Sequence, residues 1–520
     1  MVSGLSAPYA RFMLHETYEP VIGLEVHCQL QTESKLFSPE AAAYGAPPNT
    51  HVDPVSLGHP GTLPVLNETA VTHTLRMGLA THCSIAERSF FARKHYFYPD
   101  LPKGYQTSQY DTPLCYGGYL EIDADTDASG TNDTDSARPS RKRIGITRIH
   151  LEEDAGKSIH DQGEAHTLLD YNRCGVPLIE MVSEPDLRSP NEAYRYLQKV
   201  RQLVRWLGIS NGNMEEGSLR CDANVSVRPK GQTGLGTRTE LKNLNSIRNV
   251  ERALEYEINR QIVARERGEA VQQQTLLWDA DAQQTRTLRS KEEARDYRYL
   301  PDPDLPPVVV PEERVEALRD DLPEMPNARC HRFVDSLGLP PYDAEVLTED
   351  RAVADYFEEA LSSLFKRTKG GDTNAQAKEV ANFVMGDVMQ TLNETDHTPQ
   401  TLPVTPRRLA QLVYLRLEDK VSSSGAQEVF SLMLDHTDAS AGKIADDHNL
   451  IQISDRSHIE PVVTSVLNEH SDNVKQYLNG KDGLLGFFIG QVMRRIDGSP
   501  DPQLVRTLLT EHLDARSQNQ

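Results

Sequence analysis

The sequence predicts an α+β protein in which a large, mainly antiparallel sheet is followed by helical regions. In the first 300 residues, several stretches alternate apolar and polar residues, which is typical of strands with one buried face. Beyond Pro306, apolar residues recur at helical spacing instead. The chain has 520 residues, which is more than one hydrophobic core usually supports, so we expect about three domains.

Composition and charge narrow the class of protein. No apolar run approaches the length needed to cross a bilayer, so we do not expect a membrane protein. Asp and Glu number 77 against 55 Lys and Arg, which argues against a large non-specific nucleic-acid surface but leaves open RNA bound through a local patch. The six cysteines form no CxxC pair and no basic, apolar leader is evident, so we expect a cytoplasmic protein.

The stretch VIGLEVHCQL, residues 21–30, predicts the first strand. Glu25, His27 and Gln29 share one parity, so an extended backbone would present a carboxylate, an imidazole and an amide in a row. The other parity is apolar and consists of Ile22, Leu24, Val26, Cys28 and Leu30. Such a row could hold a hard cation or handle a proton. The same alternation is also the normal pattern of an antiparallel strand with one solvated face.

The next hundred residues predict loops, one helix and a hairpin excursion. The Pro-rich turns over residues 47–64 predict loops, and residues 67–86 predict a helix. The polar segment 91–113 predicts a loop in which Lys94 and its basic neighbours could bind phosphate groups, although a solvated loop is the alternative. Residues 123–143 are of low complexity and predict a flexible excursion from a hairpin.

The mixed polar face recurs in later segments. His150 and Glu152 share one parity in a second predicted strand, and Glu180 lies inside an apolar run, where a carboxylate is costly to bury unless a cation or donor meets it. Two more alternating segments carry the polar residues Arg220, Asp222, Asn224, Arg238, Glu240 and Lys242. This clustering suits metal-assisted phosphate chemistry, with carboxylates for Mg²⁺ and basic groups for phosphates, and a solvated face is the alternative.

Helical signals frame and follow these strands. Ser189, with Pro190 and Glu192 behind it, forms a capping box that predicts the start of a helix, and Ser246 predicts the start of another. Residues 310–364 and 404–434 show helical spacing, and residues 435–449 are typical of a linker. We therefore predict three domains, over residues 1–309, 310–445 and 446–520.

Seven ordered motifs carry a resemblance to a known family. The motifs are VIGLEVHCQL, HPGTLPVLN, RKHYFYPDLPKGYQ, IGITRIHLEEDAGKS, GVPLIEMVSEPDLRSP, EEGSLRCDANVSVRP and ELKNLNS. They resemble the B subunits of the bacterial aspartyl/glutamyl-tRNA amidotransferases. YRYLPDPDLPP near residue 300 and LLGFFIGQVMRR near residue 490 extend the resemblance to almost the whole chain.

The resemblance implies a fold, a reaction and partners. It implies a cradle-like catalytic domain, an all-helical domain and a small tRNA-binding tail domain. ATP would phosphorylate the side-chain carboxylate of Glu-tRNA(Gln) or Asp-tRNA(Asn), and ammonia would then displace phosphate. Because the chain shows no glutaminase nucleophile with a recognisable motif, ammonia would come from a separate amidase (glutaminase) subunit, and a small clasp subunit would complete a heterotrimer.

The resemblance also implies roles for individual residues. Glu25, His27 and Glu152 would bind Mg²⁺, and the wider catalytic set is Glu25, Lys94, Glu152, Glu180 and Glu240. The residues that would contact ATP are Lys94, Arg220 and Asn224. Several relatives have CPVC where this chain has the stretch from Asp53 to Ser56, so we expect no zinc site.

The tail domain has no excess of basic residues. Contacts with tRNA would therefore rest on the local cluster of Lys475, Lys481, Arg494 and Arg495. Two other functions stay open. One is a free-standing ATP-dependent carboxylate-amine ligase that acts on free glutamate, and the other is a non-catalytic tRNA-binding scaffold.

Overall fold

The computed structural model describes residues 17–124, 141–159, 166–290, 297–496 and 498–518. Most of the low-complexity segment 123–143 lies outside these described residues. The chain divides into two compact units, Met1–Met325 and Pro326–Gln520. The predicted α+β class, with a large and mainly antiparallel sheet, is confirmed. The three domain boundaries predicted above stay a prediction.

Among the described residues, the first unit contains most of the strands and four helices. Its strands are β1 (Tyr18–Gln29), β2 (Ser84–Ile85), β3 (Arg88–Ser89), β4 (Ala92–His95), β5 (Tyr105–Ser108), β6 (Cys115–Asp123), β7 (Arg141–Glu153), β8 (Lys157–Ile159), β9 (Leu168–Asp170), β10 (Pro177–Ser183), β11 (Leu219–Pro229), β12 (Thr239–Lys242), β13 (Gln274–Asp279), β14 (Gln284–Ser290), β15 (Arg298–Pro301) and β16 (Val308–Val309). Its helices are α1 (Glu68–Ala80), α2 (Pro190–Trp206), α3 (Ile247–Glu266) and α4 (Glu312–Asp320).

A nine-stranded sheet is the main element of this unit. Its strand order is β14-β13-β12-β11-β1-β10-β7-β6-β2, so β1 lies in the middle. Neighbouring strands are antiparallel except for the parallel pair β12 and β13. A separate three-stranded sheet, in the order β15-β4-β5, joins segments that are far apart in the chain.

One face of the nine-stranded sheet packs against helices. Ile22, Leu24, Val26 and Cys28 of β1 are almost fully buried and share one core with the apolar stripes of α1, α2 and α3. The predicted helix starts are confirmed, because the Ser189 hydroxyl accepts a hydrogen bond from the Glu192 amide and Ser246 caps α3 in the same way. The helix predicted over residues 67–86 is shorter, since it begins after the Asn67 cap and ends at Ala80. The opposite face of the sheet is left for polar side chains.

The second unit is almost entirely helical. Its elements are α5 (Pro326–Leu337), α6 (Pro341–Leu347), α7 (Arg351–Thr368), α8 (Thr373–Phe383), a π-helix (Val384–Val388), α9 (Met389–Glu394), α10 (Pro406–Leu417), α11 (Ser423–Asp435), α12 (Ala441–Asp447), β17 (Gln452–Ile453), α13 (Arg456–Glu469), α14 (Ser471–Leu478), α15 (Leu484–Arg495), β18 (Ser499–Pro500) and α16 (Pro502–Gln518). Buried apolar residues between Phe333 and Ala445 form one core cluster, and those between Ile459 and Leu513 form another. The segment 435–449, predicted to be a linker, instead contains α12, whose apolar residues belong to the first cluster. Among the described helices, none combines the length and apolar character needed to span a bilayer.

Candidate active site

Polar side chains from four adjacent strands meet in one row across the open face of the nine-stranded sheet. In the strand pairing, Arg220 of β11 lies opposite His27 of β1, His27 lies opposite Glu180 of β10, and Glu180 lies opposite His150 of β7. Residues directly opposite one another on antiparallel strands have Cβ atoms about 5 Å apart. The register therefore brings two imidazoles, a carboxylate and a guanidinium together.

His27 lies at the centre of the acidic part of this row. Its Nε2 atom is 3.4 Å from Glu180 Oε2, 3.6 Å from Glu25 Oε1 and 3.9 Å from Glu152 Oε1. Glu152 and Glu180 are only 2% and 5% exposed. Two buried carboxylates this close to one imidazole require positive charge nearby, because an uncompensated buried charge is strongly unfavourable.

His150 forms the other end of the cluster. Its Nε2 atom is 3.6 Å from Glu152 Oε2 and 3.5 Å from Glu180 Oε2. Its Nδ1 atom is buried and has no hydrogen-bond partner among the described residues. Ser108, at the end of β5, donates a hydrogen bond of 3.0 Å to Glu152 Oε2 and so holds that carboxylate from the other side.

These side chains form two groups whose ligand atoms lie within 4.8 Å of one another. The first group is Glu25, His27 and Glu180, and the second is His150, Glu152 and Glu180. The carboxylate oxygens suit a hard divalent cation such as Mg²⁺, and the buried, unpartnered Nδ1 of His150 leaves that group with an unmet polar atom. The donor set therefore fits a divalent cation, and Glu180 belongs to both groups.

The ionisation of the cluster follows from its crowding. Burial and the neighbouring Glu180 carboxylate raise the pKa of Glu25 above its ordinary value. Burial alone would raise the pKa of Glu180, but His150, His27 and Lys94 outweigh it and lower that pKa. Burial on its own would lower the pKa of the His27 imidazole, but the surrounding carboxylates raise that pKa to about 9. Without a bound cation, the protonated His27 imidazole is the positive charge at the centre of the acidic cluster, and a metal ion bound there would replace that proton.

Cationic side chains surround the acidic cluster. Lys94 of β4 is half-buried, and although burial works to lower its pKa, Glu152, Tyr299 and Glu180 raise that pKa, so the amine stays charged. Arg148 Nη2 lies 3.7 Å from Glu180 Oε1. Within the part of the chain that the structure describes, neither Lys94 nor Arg238 forms an ion pair with a carboxylate. These two groups are available to an anionic ligand.

Two other cations of the site are held by carboxylates of the protein. Arg220 Nη2 donates a 2.9 Å hydrogen bond to Asp154 Oδ2, which also accepts one from Gln29. Burial works to raise the pKa of Asp154, but Arg220 and then Arg173 outweigh it, so that pKa lies below its ordinary value. Lys242 forms ion pairs with Asp222 and, at 3.1 Å, with Glu240 Oε1.

The acidic cluster and the cationic side chains around it line one cavity of about 620 Å³, with Tyr96, Tyr110, Tyr297 and Tyr299 on the side of the three-stranded sheet. The structure brings together the predicted site residues Glu25, His27, Lys94, Glu152, Glu180, Arg220 and Glu240. Asn224 lies further along β11 and is not among the described residues that line the cavity. The roles assigned to these residues stay predictions.

The structure adds residues that the sequence-based site did not include. Arg148 and His150 share the parity of Glu152 on β7, so the alternation already contained that signal. The four tyrosines come from two segments, residues 91–113 and 297–301, and no pattern within either segment indicates that the three-stranded sheet joins them.

The predicted tRNA-binding residues lie in the second unit. Arg495 is held by two hydrogen bonds to Glu469, of 2.8 Å and 2.6 Å, and Lys481 donates one of 2.9 Å to Gln476. Lys475 and Arg494 are exposed. Arg495 is thus already engaged by a carboxylate, whereas Arg494 next to it presents its side chain to solvent.

Comparison with known proteins matches both parts of the chain. Residues 20–316 match the family model described as the GatB/GatE catalytic domain, and residues 363–513 match the one described as the GatB domain. A protein of Salinibacter ruber, named as the B subunit of an aspartyl/glutamyl-tRNA(Asn/Gln) amidotransferase, is 68% identical over 97% of this chain and 98% of its own length. Proteins of the same name from Chlorobaculum tepidum and Thermodesulfovibrio yellowstonii are each 50% identical, over 96% and 95% of this chain and 100% and 98% of their own lengths.

Proposed function

Because the chain belongs to the family of aspartyl/glutamyl-tRNA amidotransferase B subunits, we propose that its cavity converts Glu-tRNA(Gln) or Asp-tRNA(Asn) to the amide. In the proposed reaction, a side-chain carboxylate oxygen of the aminoacyl-tRNA attacks the terminal phosphorus of ATP, and ADP leaves. Ammonia then attacks the carbonyl carbon of the acyl phosphate, and phosphate leaves. The products are Gln-tRNA(Gln) or Asn-tRNA(Asn).

The observation that carries this proposal is the arrangement of opposite charges in the cavity. Glu25, His27, Glu152 and Glu180 gather on one floor, where they would hold Mg²⁺. When bound, Mg²⁺ offsets the charge of phosphate oxygens and orients them. Lys94 faces the same space without an ion-pair partner in the described part of the chain.

The residues of the chain have separate tasks in this reaction. Lys94 and Arg238 would bind phosphate oxygens and offset the charge that develops as the phosphoryl group moves. Glu180, with Arg148 and both histidines around it, would keep the floor fixed. Glu240 accepts a 2.7 Å hydrogen bond from Thr275 and would hold Lys242 at the far wall. Because Arg220 forms an ion pair with Asp154, it would help to position the wall of the cavity more than it would offset the charge of the phosphates.

Partners complete the reaction. We infer that ammonia comes from a glutamine-hydrolysing amidase subunit and that a small third subunit completes a heterotrimer. In the second unit, the exposed Lys475 and Arg494, with Lys481 and Arg495, would contact the tRNA backbone.

The variant Glu152→Gln tests the proposal. It keeps the size of the side chain and the hydrogen bond from Ser108 but removes one negative charge from the floor of the cavity. Co-expressed with the amidase and small subunits, this variant should lose ATP-dependent amidation of Glu-tRNA and retain glutamine hydrolysis. The matched control is Glu184→Gln, since Glu184 is exposed and follows β10 outside the cavity.

The other candidate functions predict different results in the same assay. A free-standing carboxylate-amine ligase would consume ATP with free glutamate, and a tRNA-binding scaffold would bind tRNA without consuming ATP. Wild-type amidation by Glu152→Gln would remove Glu152 from the reaction.

A further inference from the structure

Two tyrosines on the wall of the cavity form a stacked pair. The rings of Tyr110 and Tyr299 are nearly parallel, with an interplanar angle of 14° and centroids 4.0 Å apart. Tyr299 lies on β15, and Tyr110 follows β5, so the pair is formed across the three-stranded sheet. Tyr110 is 50% exposed, which leaves aromatic surface of the pair open to the cavity.

The other two tyrosines of the cavity have a different task. The ring of Tyr297 lies 4.9 Å from Lys94 Nζ, and the ring of Tyr96 lies 6.0 Å from it. These distances allow cation–π contact, so Tyr96 and Tyr297 help to hold the Lys94 amine. Among the described residues, the hydroxyls of Tyr110 and Tyr299 have no hydrogen-bond partner, and no cation lies over their rings.

The stacked pair also lies beside the group that would bind phosphate. Tyr299 is directly opposite Lys94 in the pairing of β15 with β4. Most of the remaining wall consists of charged and amide side chains, which offer little flat apolar surface. A ligand with phosphates at Lys94 and a planar aromatic group next to them would therefore meet the Tyr110–Tyr299 pair.

We propose that the Tyr110–Tyr299 pair is the stacking surface for a nucleobase of the substrates. The inference rests on the proposed function, because that function brings two nucleobases to this cavity, the base of ATP and the terminal base of the tRNA. Every nucleobase has a planar face, and stacking on an aromatic side chain strengthens binding by about 5- to 150-fold. The shared chemistry is a nucleobase attached to phosphates, and the experiment separates its two sources.

The first arm of the experiment measures binding to the full-length chain in the presence of Mg²⁺. The dissociation constants of ATP and of inorganic tripolyphosphate are measured by calorimetry for the wild type, Tyr110→Ala and Tyr110→Phe. If the base of ATP stacks on the pair, Tyr110→Ala weakens ATP binding by about 5- to 150-fold and leaves tripolyphosphate unchanged. Tyr110→Phe, which keeps the ring, should bind ATP almost as the wild type does.

The second arm compares tRNA with the same tRNA lacking its 3′-terminal nucleotide. If the terminal base of the tRNA stacks on the pair, Tyr110→Ala abolishes the difference in affinity between these two RNAs and leaves ATP binding unchanged. The matched control is Tyr119→Ala, because Tyr119 stacks on His82 at 4.4 Å and 14° but does not line the cavity. This control should match the wild type in both arms.

Two results would overturn the inference. In one, Tyr110→Ala changes neither ATP binding nor the difference between the two RNAs while the wild type binds both ligands, so the proposed function stands without the stacking pair. In the other, Tyr110→Ala weakens ATP and tripolyphosphate equally, so the side chain acts on the phosphates or on the fold. A wild-type chain that binds neither ATP nor tRNA, either alone or co-expressed with the amidase and small subunits, would refute the proposed function itself, and the inference with it.

Discussion

Glu180 is the residue whose replacement should affect metal binding most. It belongs to both groups of candidate ligands, whereas Glu25 and Glu152 each belong to one. Glu180→Gln keeps the shape of the side chain and removes one negative charge from both groups. We expect this variant to weaken binding of Mn²⁺, used as a spectroscopic substitute for Mg²⁺, more than Glu25→Gln or Glu152→Gln does.

The size of the effect follows from the spacing of the ligand atoms. Because these atoms lie within 4.8 Å of one another, a cation among them is at most about that far from the Glu180 carboxylate. At an effective dielectric constant of about 20, the attraction between a divalent ion and a unit charge at this distance is roughly 7 kcal/mol. Desolvation offsets most of it. Even one fifth, about 1.4 kcal/mol, is a tenfold change in affinity.

Titration of the full-length chain with Mn²⁺, followed by electron paramagnetic resonance, measures this change. Glu180→Gln should bind Mn²⁺ at least about tenfold more weakly than the wild type. Glu184→Gln is the control, because Glu184 is exposed and outside the cavity. Wild-type affinity in Glu180→Gln, together with a normal unfolding transition, would refute the assignment of this cluster as a cation site.

Three further predictions concern stability. Ser189→Ala removes the cap of α2 and should lower the free energy of unfolding by about 1 kcal/mol, measured by urea denaturation; an unchanged midpoint and slope would contradict the capping role. Phe357 is fully buried in the second unit, so Phe357→Ala should cost about 3–5 kcal/mol in the same assay, and a loss below about 1 kcal/mol would contradict its place in the core. Burial works to raise the pKa of Glu358, but Arg332 and Arg329 lower it below the ordinary 4.5, so this carboxylate stabilises the fold above that pH and the contribution is lost as the pH falls through the lowered value. Arg332→Gln should therefore reduce the loss of thermal stability between pH 5 and pH 3, and an identical pH profile in the variant would show that the ion pair contributes nothing.

The sequence predicted the parts of the site that depend on local pattern. The alternation in β1 placed Glu25 and His27 on the polar face, and the apolar run around Glu180 indicated a buried carboxylate, as the structure has it. Both signals arise from the two-residue period of a strand, which can be recognised within a short window of the sequence. Arg148 and His150 have the parity of Glu152 on β7, so the same alternation indicated them, but the predicted set of site residues omitted both.

The sequence could not predict which residues of different strands lie side by side. The register that sets His27 opposite Glu180 and Arg220 depends on how the strands pair, and a slip of one residue would turn every side chain to the other face. The stacked Tyr110 and Tyr299 are a stronger example. Tyr110 follows β5, Tyr299 lies on β15, β4 lies between these two strands, and no local pattern links the two segments. Pairing between distant segments is decided by packing of the whole fold, so these contacts appear only in three dimensions.

The cavity can attract the proposed anionic substrates in spite of the excess of acidic residues in the chain. The net charge of −22 would repel ATP and tRNA if it acted as a whole. At physiological ionic strength, however, charges more than about 8 Å apart in water are largely screened. Lys94 and Arg238 line the cavity itself, so a phosphate that contacted either of them would lie within that distance, with less water between the charges. Salt therefore screens the repulsion between phosphates and distant acidic residues more strongly than the attraction between phosphates and these two cations. The charges that line the cavity consequently decide which ligands it binds.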